Sequence, residues 1–222
     1  MSQARRTFSR NRLIALALSV VLVIVMILNT KFLTPEELAA AGPTKFDPAA
    51  TADELFTKAK TDLPDRAADL GEVLTAVQDD PKAAAEKYQA AVPTEGTYVF
   101  AVKTSSNVSQ ASKTNLRLEV DGAPSNTPVL VPLSTAINGT VLRDAMGFKF
   151  ADAPGQTDYQ YVGDELKKLI QAEISADVSD PAALEGKKVD VVGVISVQSP
   201  NGAPPPEAKP VNVQPLTLKE AE

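Results

Sequence analysis

The 222-residue chain contains no cysteine and no histidine. Without cysteine there is no disulfide framework, no thiolate ligand and no sulfur to carry a lipid. Without histidine, imidazole general bases, Ser-His-Asp triads and histidine metal sites are excluded. The composition thus calls for no metal and no cofactor. Tryptophan is also absent, and with four Tyr and seven Phe the aliphatic side chains must supply most of the packing.

Acidic charge is missing from the front of the chain. None of the 28 Asp and Glu precedes Glu36, whereas five of the 22 basic residues (Arg5, Arg6, Arg10, Arg12 and Lys31) fall within the first 31. Between those flanks, residues 13–28 (LIALALSVVLVIVMIL) carry no charge and one small hydroxyl, Ser19. A basic tail over 1–12 followed by an apolar run is the pattern of a chain handed to a membrane with its basic end in the cytoplasm. Sixteen residues cover about 24 Å as a helix, short of the ~30 Å hydrocarbon core. Residues 29–33 complete a transmembrane span over 13–33, provided Lys31 snorkels to the headgroups. The competing reading is a cleaved signal peptide, with Ala39-Ala40-Ala41 as its small-residue site. The distance from Leu28 to that triplet favours an uncleaved signal-anchor. The expectation is a single-pass cell-membrane protein with the lipid bilayer as its partner through 13–33 and its C-terminal part outside the cytoplasm.

Beyond residue 31 the balance is 17 basic to 28 acidic residues, a net charge of −11. Phosphate neutralisation needs the opposite sign, so nucleic acid is not an expected partner, nor is a surface of anionic lipid headgroups. About 190 residues can bury one good core with a small helical appendage.

Residues 34–45 read as a spacer and 46–92 as a helical region packed on whatever follows. Asp47-Pro48 and Asp80-Pro81 are each an N-cap with proline in the first turn. Leu55, Phe56 and Ala59 give the first helix its apolar face, and Pro64 is expected to end it. Ala67, Leu70, Leu74 and Val77 repeat at helical spacing, and the alanine-rich helix after Pro81 is expected to run to about Ala91. Residues 97–103 (TYVFAVK) and 115–120 (NLRLEV) read as strands separated by a Ser/Asn-rich loop, and 129–133 (VLVPL) as a third. Phe148 and Phe150 flank a short extended piece. Val162, Leu166, Leu169, Ile170 and Ile174 mark an amphipathic helix, and Asp180-Pro181 opens a short helical turn.

Residues 187–197 (KKVDVVGVISV) are the strongest strand, apolar on both faces, with Gly193 marking a bend or close backbone approach. A loop with five prolines (200–210) is expected to be mobile. In the last strand the apolar phase slips from Val211 and Val213 to Leu216 and Leu218, as a β-bulge requires. Three strands, a helix and two strands is the order of an OB-like five-stranded β-barrel over 95–219. The fold class is α+β.

The densest polar stretch is 136–164. Asn138, Gly139 and Thr140 make a turn that exposes a hydroxyl, Arg143 and Asp144 set a bidentate donor beside an acceptor, and Gln156 adds an amide. Three readings are open: a structural crossover in which Arg143 pairs with a carboxylate and Thr140 caps a helix over 141–146, a ligand or partner site on the same six residues, and acid–base catalysis by Asp144, Asp152, Asp158 and Asp164. The first is favoured, and an enzyme is not expected. Asn107-Val-Ser and Asn138-Gly-Thr also match the glycosylation sequon.

Ile137-Asn138-Gly139-Thr140-Val141-Leu142-Arg143-Asp144, then Phe148, Phe150 and Gln156, then Val162-Gly163-Asp164 and Leu166, resemble the central motif of a bacterial family. Its members are the predicted periplasmic lipoproteins catalogued as domain of unknown function 2291. Gly186-Lys187 and Val213-Gln214-Pro215-Leu216 resemble that family's closing strands, and Lys45-Phe46-Asp47 its amino-terminal part, so the resemblance covers roughly 43–219. Two departures are plain: there is no lipobox cysteine, and Ala153-Pro154-Gly155 replaces a more aromatic, amide-containing stretch. The resemblance implies an extracytoplasmic accessory protein, with a sugar ABC transporter or its binding protein as partner. The alternative is a barrel that itself captures an oligosaccharide or other small ligand, and the remote one a carboxylate hydrolase.

Overall fold

The structure is a computed structural model that describes residues 10–30, 34, 46–206 and 208–221. The chain divides into two compact units, residues 1–45 and 46–222. The basic tail up to residue 9 and the spacer from 35 to 45 lie outside the described residues.

In the first unit the apolar run forms helix α1 (Arg10–Asn29). Its large side chains from Ile14 to Leu28 are all exposed, between 48% and 78%. Its polar groups turn back on the helix itself: Ser19 Oγ donates to the Ala15 carbonyl (2.9 Å), Asn29 Nδ2 to Val25 (2.9 Å) and Thr30 Oγ1 to Met26 (2.6 Å). Among the described residues no helix is long and apolar enough to cross a membrane. The expected 13–33 transmembrane span is therefore not supported among the described residues, where α1 stops at Asn29. Residues 31–33, which the expected span includes, lie outside the described part.

The second unit begins with α2 (Pro48–Arg66), whose N-cap Asp47 accepts from the amides of Ala49 and Ala50. Ala52, Phe56, Ala59 and Leu63 form its buried stripe. Pro64 does not stop this helix but sits inside its last turn, where little of the backbone ladder remains to be broken. Ala67 then turns extended as the C-cap, and a two-residue strand, β1 (Ala68–Asp69), pairs in parallel with Val102 and Lys103 before α3 (Leu70–Asp79) begins. Helix α4 (Pro81–Lys87) is shorter than expected. Gln89 takes a positive φ of 51°, which ends helical geometry, and β2 (Ala91–Thr94) follows.

The core strand is β3 (Thr97–Ala111), fifteen residues that absorb most of the expected Ser/Asn-rich loop. Those polar residues are strand because β6 (Lys188–Gln198) pairs with them up to Asn107, where Ser105 opposes Asp190, Ser106 opposes Val189 and Asn107 opposes Lys188, and the next strand pairs with Gln110 and Ala111. The buried Ser106 hydroxyl is satisfied by Thr104 Oγ1 at 2.6 Å. With β4 (Asn115–Glu119), β5 (Val129–Pro132), β7 (Val211–Asn212) and β8 (Gln214–Glu220), the sheet runs β7-β5-β4-β3-β6-β8. β7 lies parallel to β5 and β8 antiparallel to β6, with Val213 alone between them, so one segment of chain supplies both ends of the sheet order and curls it back on itself. The five strands expected thus become eight, because the last is split and β1 and β2 are added.

The bulge is where the phase slip places it: Val192 pairs with Thr217 but Gly193 with Pro215, skipping Leu216. Gly193 is needed there, since a Cβ would overlap the Gln214 carbonyl oxygen. The proline loop is pinned by Gln78 Nε2 on the Pro205 carbonyl (3.2 Å) and by Ser199 Oγ on that of Ala203 (2.7 Å).

Between β5 and β6 lie α5 (Gly139–Ala145) and α6 (Gln156–Asp177). Val162, Leu166, Ile170 and Ile174 of α6 enter one continuous core with the sheet and with α2 and α3. Phe150 opens a single 3-10 turn (Phe150–Asp152) instead of an extended piece. Pro181–Leu184 forms another such turn, as Asp180 caps the amide of Ala182.

Candidate functional site

Helix α5 crosses α6 at glycines. A Cβ on Gly139 would overlap the Gly163 carbonyl oxygen and the Lys167 amide, and one on Gly163 would meet Thr140 Cγ2 at 2.9 Å. The cap of α5 is Asn138, not Thr140: its Oδ1 accepts from both the amide (3.0 Å) and the hydroxyl (2.7 Å) of Thr140. The Asn138 amide in turn donates to Oε1 of Gln214, a buried glutamine at the start of β8 (2.8 Å). The crossing is thereby tied to the sheet.

One turn on, Arg143 is almost fully buried, with 7% of its side chain exposed against 21% for Asp144. Its Nε (3.0 Å) and Nη2 (2.8 Å) both donate to Asp144 Oδ1, while Nη1 donates to the Tyr159 carbonyl (3.0 Å). The guanidinium also lies over the Tyr159 ring, 3.6 Å from its centre. Tyr159 adds a third donor to Asp144 Oδ1 through its hydroxyl (3.3 Å) and is flanked by Phe148, stacked at 6.0 Å, and Phe150, edge-on at 5.6 Å. Burial first, and the Asp144 charge second, push the Tyr159 hydroxyl above its ordinary pKa, so it stays a donor. Three donors converge on Oδ1, and Oδ2 has no hydrogen-bond partner among the described residues.

Asp144 borders a cleft of about 640 Å³ between α5 and the sheet. Asn138, Thr140, Arg143, Asp144 and Tyr159 line one side. Thr94 and Thr97, Ser196 and Gln198, Lys209, Asn212 and Gln214 line the other. Of the six residues expected to form a site, four thus meet at the cleft. Gly139 is buried in the helix crossing, and Gln156 is the exposed first residue of α6, away from the lining. The opposite wall escaped the sequence reading because its residues come from strands and a loop far apart in the chain. The one available signal was Gln214, a glutamine among apolar strand residues. Asp152 is engaged as an acceptor for the Lys149 amide (2.7 Å), and among the described residues no group of three acidic side chains could hold a metal ion.

An OB-fold protein from Thermotoga maritima, solved by crystallography, is similar to this chain with a TM-score of 0.65 and 21% identity, covering 80% of this chain and 100% of that one. The likeness shows the fold, and the strand order above agrees with it. No curated protein matches the chain. The family described as predicted periplasmic lipoprotein, domain of unknown function 2291, matches residues 20–218. That match takes in the α5–α6 crossing, the Arg143–Asp144 pair and both closing strands, and the chain belongs to that family.

Proposed function

We propose that this protein is an extracytoplasmic accessory module, held at the membrane by α1, that offers the α5–sheet cleft to a small ligand or partner. The observation that carries the reading is the exposure of every large side chain from Ile14 to Leu28. A helix apolar on all sides is stable only when something apolar covers it, and the basic flank ahead of it favours a bilayer with the N-terminus in the cytoplasm. The family is one of lipoproteins, and this sequence has no cysteine to acylate. The apolar helix α1 would take over the attachment that acylation gives elsewhere.

The test is fractionation of cells expressing the full chain, followed by an alkaline carbonate wash and protease digestion of intact spheroplasts. The protein should remain in the washed membrane and lose its second unit to the protease. Release by carbonate, or protection from the protease, would refute the reading. A sugar ABC transporter or its binding protein is the proposed partner, supported by the family resemblance. Crosslinking in native membranes followed by pull-down should recover transporter subunits, and recovery of this chain alone would remove that part.

A further inference from the structure

The sequence holds two Asn-Gly pairs, Asn138-Gly139 and Asn201-Gly202, and the fold treats them in opposite ways. We infer that Asn201 is a site of spontaneous deamidation and isoaspartate formation, and that Asn138, with the same neighbour, is protected by its place at the head of α5. The reaction is a cyclisation. The Gly202 nitrogen, its proton lost to hydroxide, attacks Asn201 Cγ. The N–Cγ bond forms, the Cγ–Nδ2 bond breaks, and ammonia leaves with a proton returned by water. The succinimide then takes up one water at either of its carbonyls, giving an aspartyl or an isoaspartyl residue. Glycine favours the step because it has no side chain to crowd the attacking nitrogen and its backbone turns freely.

At the second pair the way is open. Ser199 to Gly202 is a turn with Pro200 in its second position, closed by the Gly202 amide on the Ser199 carbonyl (3.1 Å). Pro200, Asn201, Gly202 and Ala203 are all exposed. A Cβ on Gly202 would meet nothing within 4 Å, so there is room for the ring to close once that one hydrogen bond opens. Asn138 is exposed as well, so exposure does not separate the two. What separates them is that Asn138 Oδ1 is held by the amide (3.0 Å) and hydroxyl (2.7 Å) of Thr140, and its own amide by Gln214 (2.8 Å). Swinging Cγ onto the Gly139 nitrogen would break the cap. Gly139 is also packed against the Gly163 carbonyl, where its backbone has no space to turn. The product at position 201 carries a new negative charge in the loop whose Lys209 and Pro210 line the cleft.

The full chain in detergent is held at pH 8.5 and 37 °C, sampled over weeks and digested with trypsin. The two asparagines fall on different peptides, because Arg143 and Lys188 lie between them. Mass spectrometry with fragmentation reads the amide-to-acid mass gain at each, and labelling by an isoaspartyl methyltransferase reads the isoaspartyl share. Asn201 is expected to convert at least tenfold faster than Asn138, with the isoaspartyl form in the majority. In guanidinium chloride the cap is lost, and the two rates should come within about threefold of each other. Asn201→Gln, a change on an exposed turn, should remove the methyltransferase labelling of the folded chain. Equal or faster conversion at Asn138 in the folded chain would overturn the inference. So would product at 201 with no isoaspartyl share, which means direct hydrolysis, or labelling that survives Asn201→Gln. A tenfold gap that persists in the unfolded chain would overturn the protective role of the α5 cap.

Discussion

Gly139 on α5 rests directly against the backbone of Gly163 on α6, so closely that a Cβ at 139 would overlap the Gly163 carbonyl oxygen. Backbone cannot yield there as a side chain can. Gly139→Ala should therefore cost about 2 kcal/mol or more by overpacking, lowering Tm by roughly 4–8 °C. Gly163→Ala meets only Thr140 Cγ2 at 2.9 Å and should cost less. Adding Thr140→Ser removes that methyl and should recover most of the loss. A double-mutant cycle by urea denaturation reads the coupling; additive effects would mean that the two residues do not press on each other.

Arg143 makes three donor contacts from one planar group and stacks on Tyr159 as well. A lysine ammonium cannot reach Asp144 and the Tyr159 carbonyl together from that position. Arg143→Met should destabilise by about 2–4 kcal/mol, mostly by leaving Asp144 uncompensated, and Arg143→Lys by about 1–3 kcal/mol, by leaving one of the two acceptors without its donor. Arg143→Met combined with Asp144→Leu should be milder than Arg143→Met alone. Full stability in the lysine variant would show that charge alone suffices and that the fork geometry is incidental.

Much of this arrangement could be read in the chain and some could not. Asp-Pro caps, the Gly193 close approach and the bulge after Val213 are local, and each is written in one or two residues. The stop assigned to Pro64 and the loop assigned to Ser105–Ser106–Asn107 misled because their fate is decided elsewhere: α2 was nearly complete, and β6 pairs with every one of those polar residues. The site divides in the same way. Asn138, Thr140, Arg143 and Asp144 stand together in sequence, whereas Ser196, Gln198, Asn212 and Gln214 reach the cleft only once the last segment has curled the sheet back.

Gln214 accepts the Asn138 amide from a position that is 6% exposed. Gln214→Leu would leave that amide at the mouth of α5 without its partner, costing about 1–3 kcal/mol. Gln214→Glu keeps an acceptor and should cost less near neutral pH. Amide hydrogen exchange at Asn138 should accelerate in the leucine variant and stay slow in the glutamate one. Equal exchange in both would mean that the link from α5 to β8 does not hold the helix end in place.

Tyr159 makes the stability of this region dependent on alkaline pH. Its ordinary pKa is 10.0, and in the folded protein burial, with the Asp144 charge behind it, raises that value while the Arg143 charge opposes the rise. A raised pKa means that the folded state holds the proton more tightly than the unfolded chain does. The stability this supplies is fully present below about pH 10 and is lost as pH climbs through the folded-state value. Urea midpoints measured from pH 8 to 11.5 should fall at the alkaline end for the wild type. Tyr159→Phe keeps the ring beneath the guanidinium and the contacts with Phe148 and Phe150, but removes the titrating hydroxyl and its 3.3 Å bond to Asp144. That variant should start somewhat less stable at pH 8 and lose less on the way up, so the two curves converge. Parallel curves would place the alkaline sensitivity on another tyrosine or on the lysines, and Tyr159 would then be only a packing residue under Arg143.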